Sequence, residues 1–129
     1  MLLQVYLKMQ KINTYSDLIV WQKSIDLAKL IYNDCKLFPD DEKFGLVIQL
    51  KRASVSIPSN IAEGYARNTK KDYLRFLIIA LGSAYEVQTQ LILSRTLGFE
   101  KTEKQFDKSM LLLEEVIKML SSLRKKLII

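Results

Sequence analysis

The chain of 129 residues has no histidine, one cysteine, two prolines and four glycines. Each scarcity excludes something. Without histidine the commonest general base and metal ligand is missing, which argues against most hydrolase and metalloenzyme chemistry. A lone cysteine, Cys35, cannot form an internal disulfide, suits a reducing compartment, and leaves no Cys/His cluster for zinc. At helical spacing from Ile31, it reads as a packed core residue. So few glycines and prolines argue against both disorder and a turn-rich β architecture. The longest apolar runs, such as 76–82, fall short of the roughly 20 residues of a membrane span, so no transmembrane helix is expected. The opening MLLQVYLKMQK is too short and too polar for a secretory signal, and Met9 is an alternative native start. Cytoplasmic residence is the expectation, with no cofactor and no metal.

What is abundant points to helices. Hydrophobic residues make up 49% and charged residues 26%, and the net charge is +6. That excess favours an anionic partner, nucleic acid being the usual one for a cytoplasmic protein. Four periodic segments follow Tyr15, giving an N-terminal extension (1–14) and one domain (15–129). The first helix starts near Asp17, with Leu18, Trp21, Ile25, Ala28, Tyr32 and Cys35 inward, and ends at Phe38 and Pro39. The second begins at Asp40, Asp41 and Glu42 and runs to about Tyr65. Thr69 to Asp72 has the form of a capping box for the third, whose inner face is Tyr73, Phe76, Leu77, Ala80, Ala84, Val87 and Leu91. Gly98 marks a left-handed C-cap, and Thr102 with Gln105 forms a capping box for the fourth. The fourth carries two apolar lines, Phe106, Met110, Leu113, Ile117, Leu120 and Leu112, Val116, Met119, Leu123. They fit either a wide core face or a subunit interface. Short connections make this an all-α, antiparallel up-down-up-down four-helix bundle.

The second helix holds the most informative stretch, Ser56 to Arg67. Pro58 lies in its interior, where it removes an amide donor and presses on the carbonyl of Ser54, so the helix is expected to be proline-kinked. Gln49, Arg52, Ser56, Asn60 and Glu63 nevertheless form one polar stripe beside an apolar stripe of Leu46, Leu50, Ala53, Ile57 and Ile61. With Ser83 and Glu86 on the third helix, and Gln90 below them, Arg52, Ser56, Asn60 and Glu63 suggest a structural polar network that specifies register or assembly. Paired carboxylates could hold a metal, but the bundle di-metal sites need Glu-x-x-His. Gly82, Ser83 and Ala84 permit close helix packing, and Trp21 reads as a core anchor.

The segments DLIVWQKSIDLAKLIY (17–32), FPDDEKFGLVIQLKRASVSIPSNIAEGYAR (38–67) and DYLRFLIIALGSAYEVQTQLILSRTLGF (72–99) resemble the 23S rRNA-intervening-sequence protein family. The signature elements are Trp21 and Gln22 after an acidic start, the FP and GL pairs flanking acids, SIPxNIAEG, and Gly82-Ser83 with Glu86 three residues on. The resemblance implies a four-helix bundle assembling as a homopentamer. It also implies similarity to the accessory variability determinant of diversity-generating retroelements, a basic pentamer that works with a reverse transcriptase and nucleic acid.

Basic residues are the functional candidates. Arg67, Lys70, Lys71 and Arg75 surround the turn between the second and third helices, where helix-start amides also favour phosphate. Lys118, Arg124, Lys125 and Lys126 gather near the C-terminus, and Lys51 is an outlier. A solvated lysine surface would read the same way. Tyr65 and Tyr73 adjoin the first group and could stack on bases, although Tyr73 fits an inward position better. No sequence-reading motif is present. The expectation is a non-enzymatic homo-oligomer that binds structured RNA or other nucleic acid through Arg67, Lys70, Lys71, Arg75, Arg124, Lys125 and Lys126, without membrane contact. The alternative is a protein scaffold, for example an accessory subunit for a reverse transcriptase or other nucleic-acid enzyme.

Overall fold

The computed structural model describes residues 12–99 and 103–128, and among these every regular element is helical. Four long helices dominate: α1 (Ile19–Cys35), α2 (Leu46–Tyr65), α3 (Lys70–Thr96) and α4 (Glu103–Ile128). α1 packs on α2 and α4, and α3 packs on α2 and α4, around one core. Residues 1–11 of the expected extension, and Thr102 of the expected second capping box, lie outside the described residues.

Local chemistry sets the boundaries. Before α1 a single 3-10 turn, Tyr15–Asp17, is closed by a capping box. The Thr14 hydroxyl accepts from the Ser16 amide, and the Asp17 carboxylate accepts from the amides of Asn13 and Thr14. Trp21 packs edge-on against Tyr15 at 5.2 Å, and the Gln22 amide donates to the Ser16 carbonyl. The Trp-Gln pair therefore pins the entry turn. The acids at 40–42 do not open α2. They form a separate 3-10 turn, because Gly45 takes φ −112°, ψ −109°, outside the helical region, and α2 restarts at Leu46. α2 then runs through Pro58, which is buried. At the start of α3 the Thr69 hydroxyl caps the Asp72 amide. At its end Gly98 has φ 73°, the Phe99 amide donates to the Ser94 carbonyl and the Gly98 amide to Arg95, which is a Schellman motif.

α1 is rotated from the face expected from sequence, and α4 centres its buried line between the two expected ones. In α1 the buried line is Val20, Ser24, Leu27, Ile31 and Asp34, while Ile25 and Tyr32 are exposed. In α4 it is Phe106, Ser109, Leu113, Val116, Leu120, Leu123 and Leu127, a 3-4 repeat between the two expected lines, whose other members Met110, Leu112, Ile117 and Met119 pack half-buried at its edges. α4 is thus the wide core face. Both buried lines carry polar residues that meet: the Ser109 hydroxyl donates to the Asp34 carboxylate at 2.5 Å, with Asp34 only 1% exposed.

Apolar residues run nearly all round α3. By length and composition it could cross a membrane, its richest 18-residue window having a mean hydropathy of 1.4, yet 44% of that window is buried inside the bundle. Core helices of water-exposed proteins meet the same criterion. The surplus lies outward, where Ile78, Tyr85 and Ile92 recur every seven residues beside Ile79 and Leu93, all exposed.

α2 and α3 approach closely at Gly64. A Cβ there would sit 2.8 Å from the Cβ of Phe76 and 3.3 Å from the Tyr73 carbonyl. Alanine gains up to about 1 kcal/mol of helix propensity over glycine, but overpacking against backbone and Cβ costs about 1–3 kcal/mol. Gly64→Ala is therefore expected to lower stability by about 1–2 kcal/mol in urea denaturation, and a neutral or stabilising result would refute the close approach.

Candidate nucleic-acid interface

The absent Gly64 side chain lets the Phe76 ring come up against the end of α2, and two arginines gather round that ring. The Arg67 guanidinium lies 4.7 Å from its centroid and that of Arg75 lies 5.7 Å away. Arg67 also stands 3.9 Å from Glu63 on the preceding turn, an exposed pair of little energetic weight. Lys70 and Lys71 are exposed between them, on the first turn of α3. Tyr65 and Tyr73 meet edge to face at 6.2 Å, Tyr73 being buried and Tyr65 half-buried. The turn thus gathers a cluster of aromatic rings and four cations, with both guanidinium groups beside the Phe76 ring.

The C-terminal group is held by different partners. Lys126 lines a groove with Asp17, Ile19 and Met119, beside the start of α1. Lys118 and Lys125 are exposed, while Arg124 is half-buried with its Nε enclosed and unpaired. Arg124 is therefore less available than its sequence position suggests. Lys51 leans on the Tyr32 ring, 4.9 Å from its centroid, on the α1–α2 side.

The polar network is smaller than the stripe of polar residues. Ser56 and Ser83 share a hydrogen bond of 2.8 Å across α2 and α3, and the Asn60 amide donates to the Ser56 carbonyl and hydroxyl at 2.8 and 3.0 Å. Arg52, Glu63 and Glu86 are exposed and no hydrogen bond joins them to it, because at the edge of the α2–α3 seam long side chains reach water. Glu86 instead accepts from Gln90 at 3.4 Å. The Asp34–Ser109 pair is a buried polar contact that the sequence reading missed. Its signal was there, two polar residues each in phase with a buried 3-4 line. Among the described residues, no group of three or more Cys, Asp or Glu is placed to hold a metal.

A family model described as 23S rRNA-intervening sequence protein matches residues 16–122. The chain belongs to this family. Among solved structures, it is similar to a protein of unknown function from the S23 ribosomal protein family of Bacteroides thetaiotaomicron VPI-5482, with 30% identity and a TM-score of 0.76, covering 83% of this chain and 99% of that one. No curated protein matches. Matched residues 16–122 contain the whole Gly64–Phe76 cluster, whereas Arg124, Lys125 and Lys126 fall beyond them.

Losing the Ser56–Ser83 bond in Ser83→Ala is expected to cost about 1 kcal/mol, whereas Arg52→Ala stays within about 0.5 kcal/mol. Chemical denaturation of the two variants checks the difference, and an equal or larger cost for Arg52→Ala would restore it to the network.

Proposed function

We propose that this chain is a non-enzymatic, cytoplasmic, self-associating protein that binds structured RNA or other nucleic acid through the basic turn between α2 and α3. The observation that carries this reading is the pair of guanidinium groups, Arg67 and Arg75, packed about Phe76 beside the exposed Lys70 and Lys71. Arginines pre-ordered on a ring lose less freedom when they meet phosphate. Lys125 and Lys126, exposed near the end of α4, would extend the surface, with the half-buried Arg124 supporting it. Recognition rests on shape and charge.

Assembly is supported by α3. The order of the contacts between helices suits an antiparallel up-down-up-down bundle, with α2 bent at Pro58: Ser56 meets Ser83 while Gly64 meets Phe76, and Arg95 near the end of α3 stands 3.9 Å from Asp107 near the start of α4. In that arrangement the outward row Ile78, Tyr85, Ile92 is left about half exposed among the described residues, at 47%, 48% and 51%. A helix apolar on both sides asks for a second partner, here another copy of the chain, with the pentamer as the expected ring. Around a ring one modest basic turn becomes polyvalent. The same row would serve a protein scaffold, such as an accessory subunit of a reverse transcriptase. A stoichiometric protein partner surviving nuclease and high salt would favour that second reading.

Replacing Arg67, Lys70, Lys71 and Arg75 with glutamine is expected to weaken binding to a structured RNA by at least about 100-fold at low salt. It should also flatten the logarithmic salt dependence by about 3–4 units. Unchanged affinity and slope in a salt-series titration would sink the proposal. Tyr85→Lys with Ile92→Lys is expected to shift the assembly to a smaller species by light scattering, and an unchanged mass would remove α3 as the interface.

A further inference from the structure

A second basic feature lies where α1 ends and α2 begins, and the reading above makes no use of it. The groove there has a volume of about 400 Å³, and four lysines line it, Lys29, Lys36, Lys43 and Lys51, against one acid, Asp40. Tyr32 forms part of its wall, 42% exposed, and buried Phe38 and Val47 lie at its base. Phe44, next in sequence to the lining residue Lys43, is 84% exposed, more than any other large apolar side chain described, with the Lys43 ammonium 5.7 Å from its ring. Lys51 stands over Tyr32 in the same way, at 4.9 Å. Two exposed aromatic rings, each with an ammonium beside it, therefore accompany this lysine-lined groove, Tyr32 in its wall and Phe44 next to the lining residue Lys43. The core gains nothing from Phe44 in this position.

We infer that this groove holds a short single-stranded segment of nucleic acid, its bases stacking on Tyr32 and Phe44 and its phosphates held by Lys29, Lys36, Lys43 and Lys51. Single strands are gripped by this combination of a cationic groove and sequence-tolerant aromatic platforms. Duplex keeps its bases stacked internally and could use only the lysines. The gap between α1 and α2 is also the size of an ordinary ligand cleft, large enough to receive a nucleotide unit. The assignment does not rest on the α2–α3 turn as an RNA surface, since it is built from other residues on other elements.

The test titrates a fluorescent oligo-dT ten nucleotides long against the wild-type chain and two variants, Lys36→Glu with Lys43→Glu, and Tyr32→Leu with Phe44→Ser. The lysine variant should lose at least about tenfold in affinity at low salt and lower the salt slope by about 1.4, the single-strand value for two phosphates. The aromatic variant should lose roughly fivefold or more, the low end for one base stack, with the slope unchanged. Glutamine at Arg67, Lys70, Lys71 and Arg75 should leave a groove-dependent component of binding, so failure of the groove and failure of the turn read out separately. Duplex DNA of equal charge should compete poorly, and inorganic phosphate only at much higher concentration. Circular dichroism and light scattering report fold and mass for each variant. Equal affinity in all three chains, or equal competition by duplex, would overturn the inference. So would loss of binding that tracks a change of mass, since Phe44 would then be an assembly contact. For a variant that fails to fold, photocrosslinking 4-thiouridine oligonucleotide to the wild-type chain decides: adducts at Tyr32 or Phe44 support the groove, and adducts confined elsewhere refute it.

Discussion

Everything at the basic turn depends on how closely α2 and α3 approach. A Cβ at Gly64 would crowd Phe76 and Tyr73, and the small residues Ser56 and Ser83 meet along the same seam. Small residues give little apolar area per side chain, so this seam draws its strength from many close backbone and Cβ contacts. The Ser56–Ser83 hydrogen bond satisfies two hydroxyls that such closeness would otherwise strand. Close approach also sets the Phe76 ring beside Arg67 and Arg75. A backbone constraint is thereby turned into the position of two charges.

Much of this was legible in the sequence because it follows local rules. Thr69 as a cap, Gly98 as a left-handed stop and the apolar stripe of α2 each depend on a few neighbouring residues, and the structure holds all three. The face of α1 was misjudged, and Ser109 in the face of α4 was overlooked, for one shared reason. Each helix offers competing apolar lines, and the line that is buried contains polar residues, Ser24 and Asp34 in one and Ser109 in the other. Apolar periodicity alone favours the cleaner line. Tyr32 and Ile25 looked like core and are exposed, because the pairing that buries Asp34 turns them outward.

The candidate sites were legible as composition and not as geometry. Arg67, Lys70, Lys71 and Arg75 cluster in sequence, so their neighbourhood was readable, but the ring that organises the arginines required the Gly64 contact. Arg52, Glu63 and Glu86 had the right angular position for a network, yet spacing says nothing about how far a long side chain extends toward water. Lys29, Lys36, Lys43 and Lys51 span two helices and the loop between them, and they converge only after the chain reverses near Phe38 and Pro39.

The Asp34–Ser109 bond has a consequence for how α1 and α4 find each other. Both buried lines repeat with heptad spacing, so sliding one helix by seven residues, about 10 Å, would again set apolar against apolar at most levels. One level would not match. Asp34 would then face Val116, a fully enclosed hydrocarbon with nothing to offer a carboxylate. The pair works as the notch of a key: it adds little to the grip of the two helices and rules out the settings in which they would grip one turn-pair out of place.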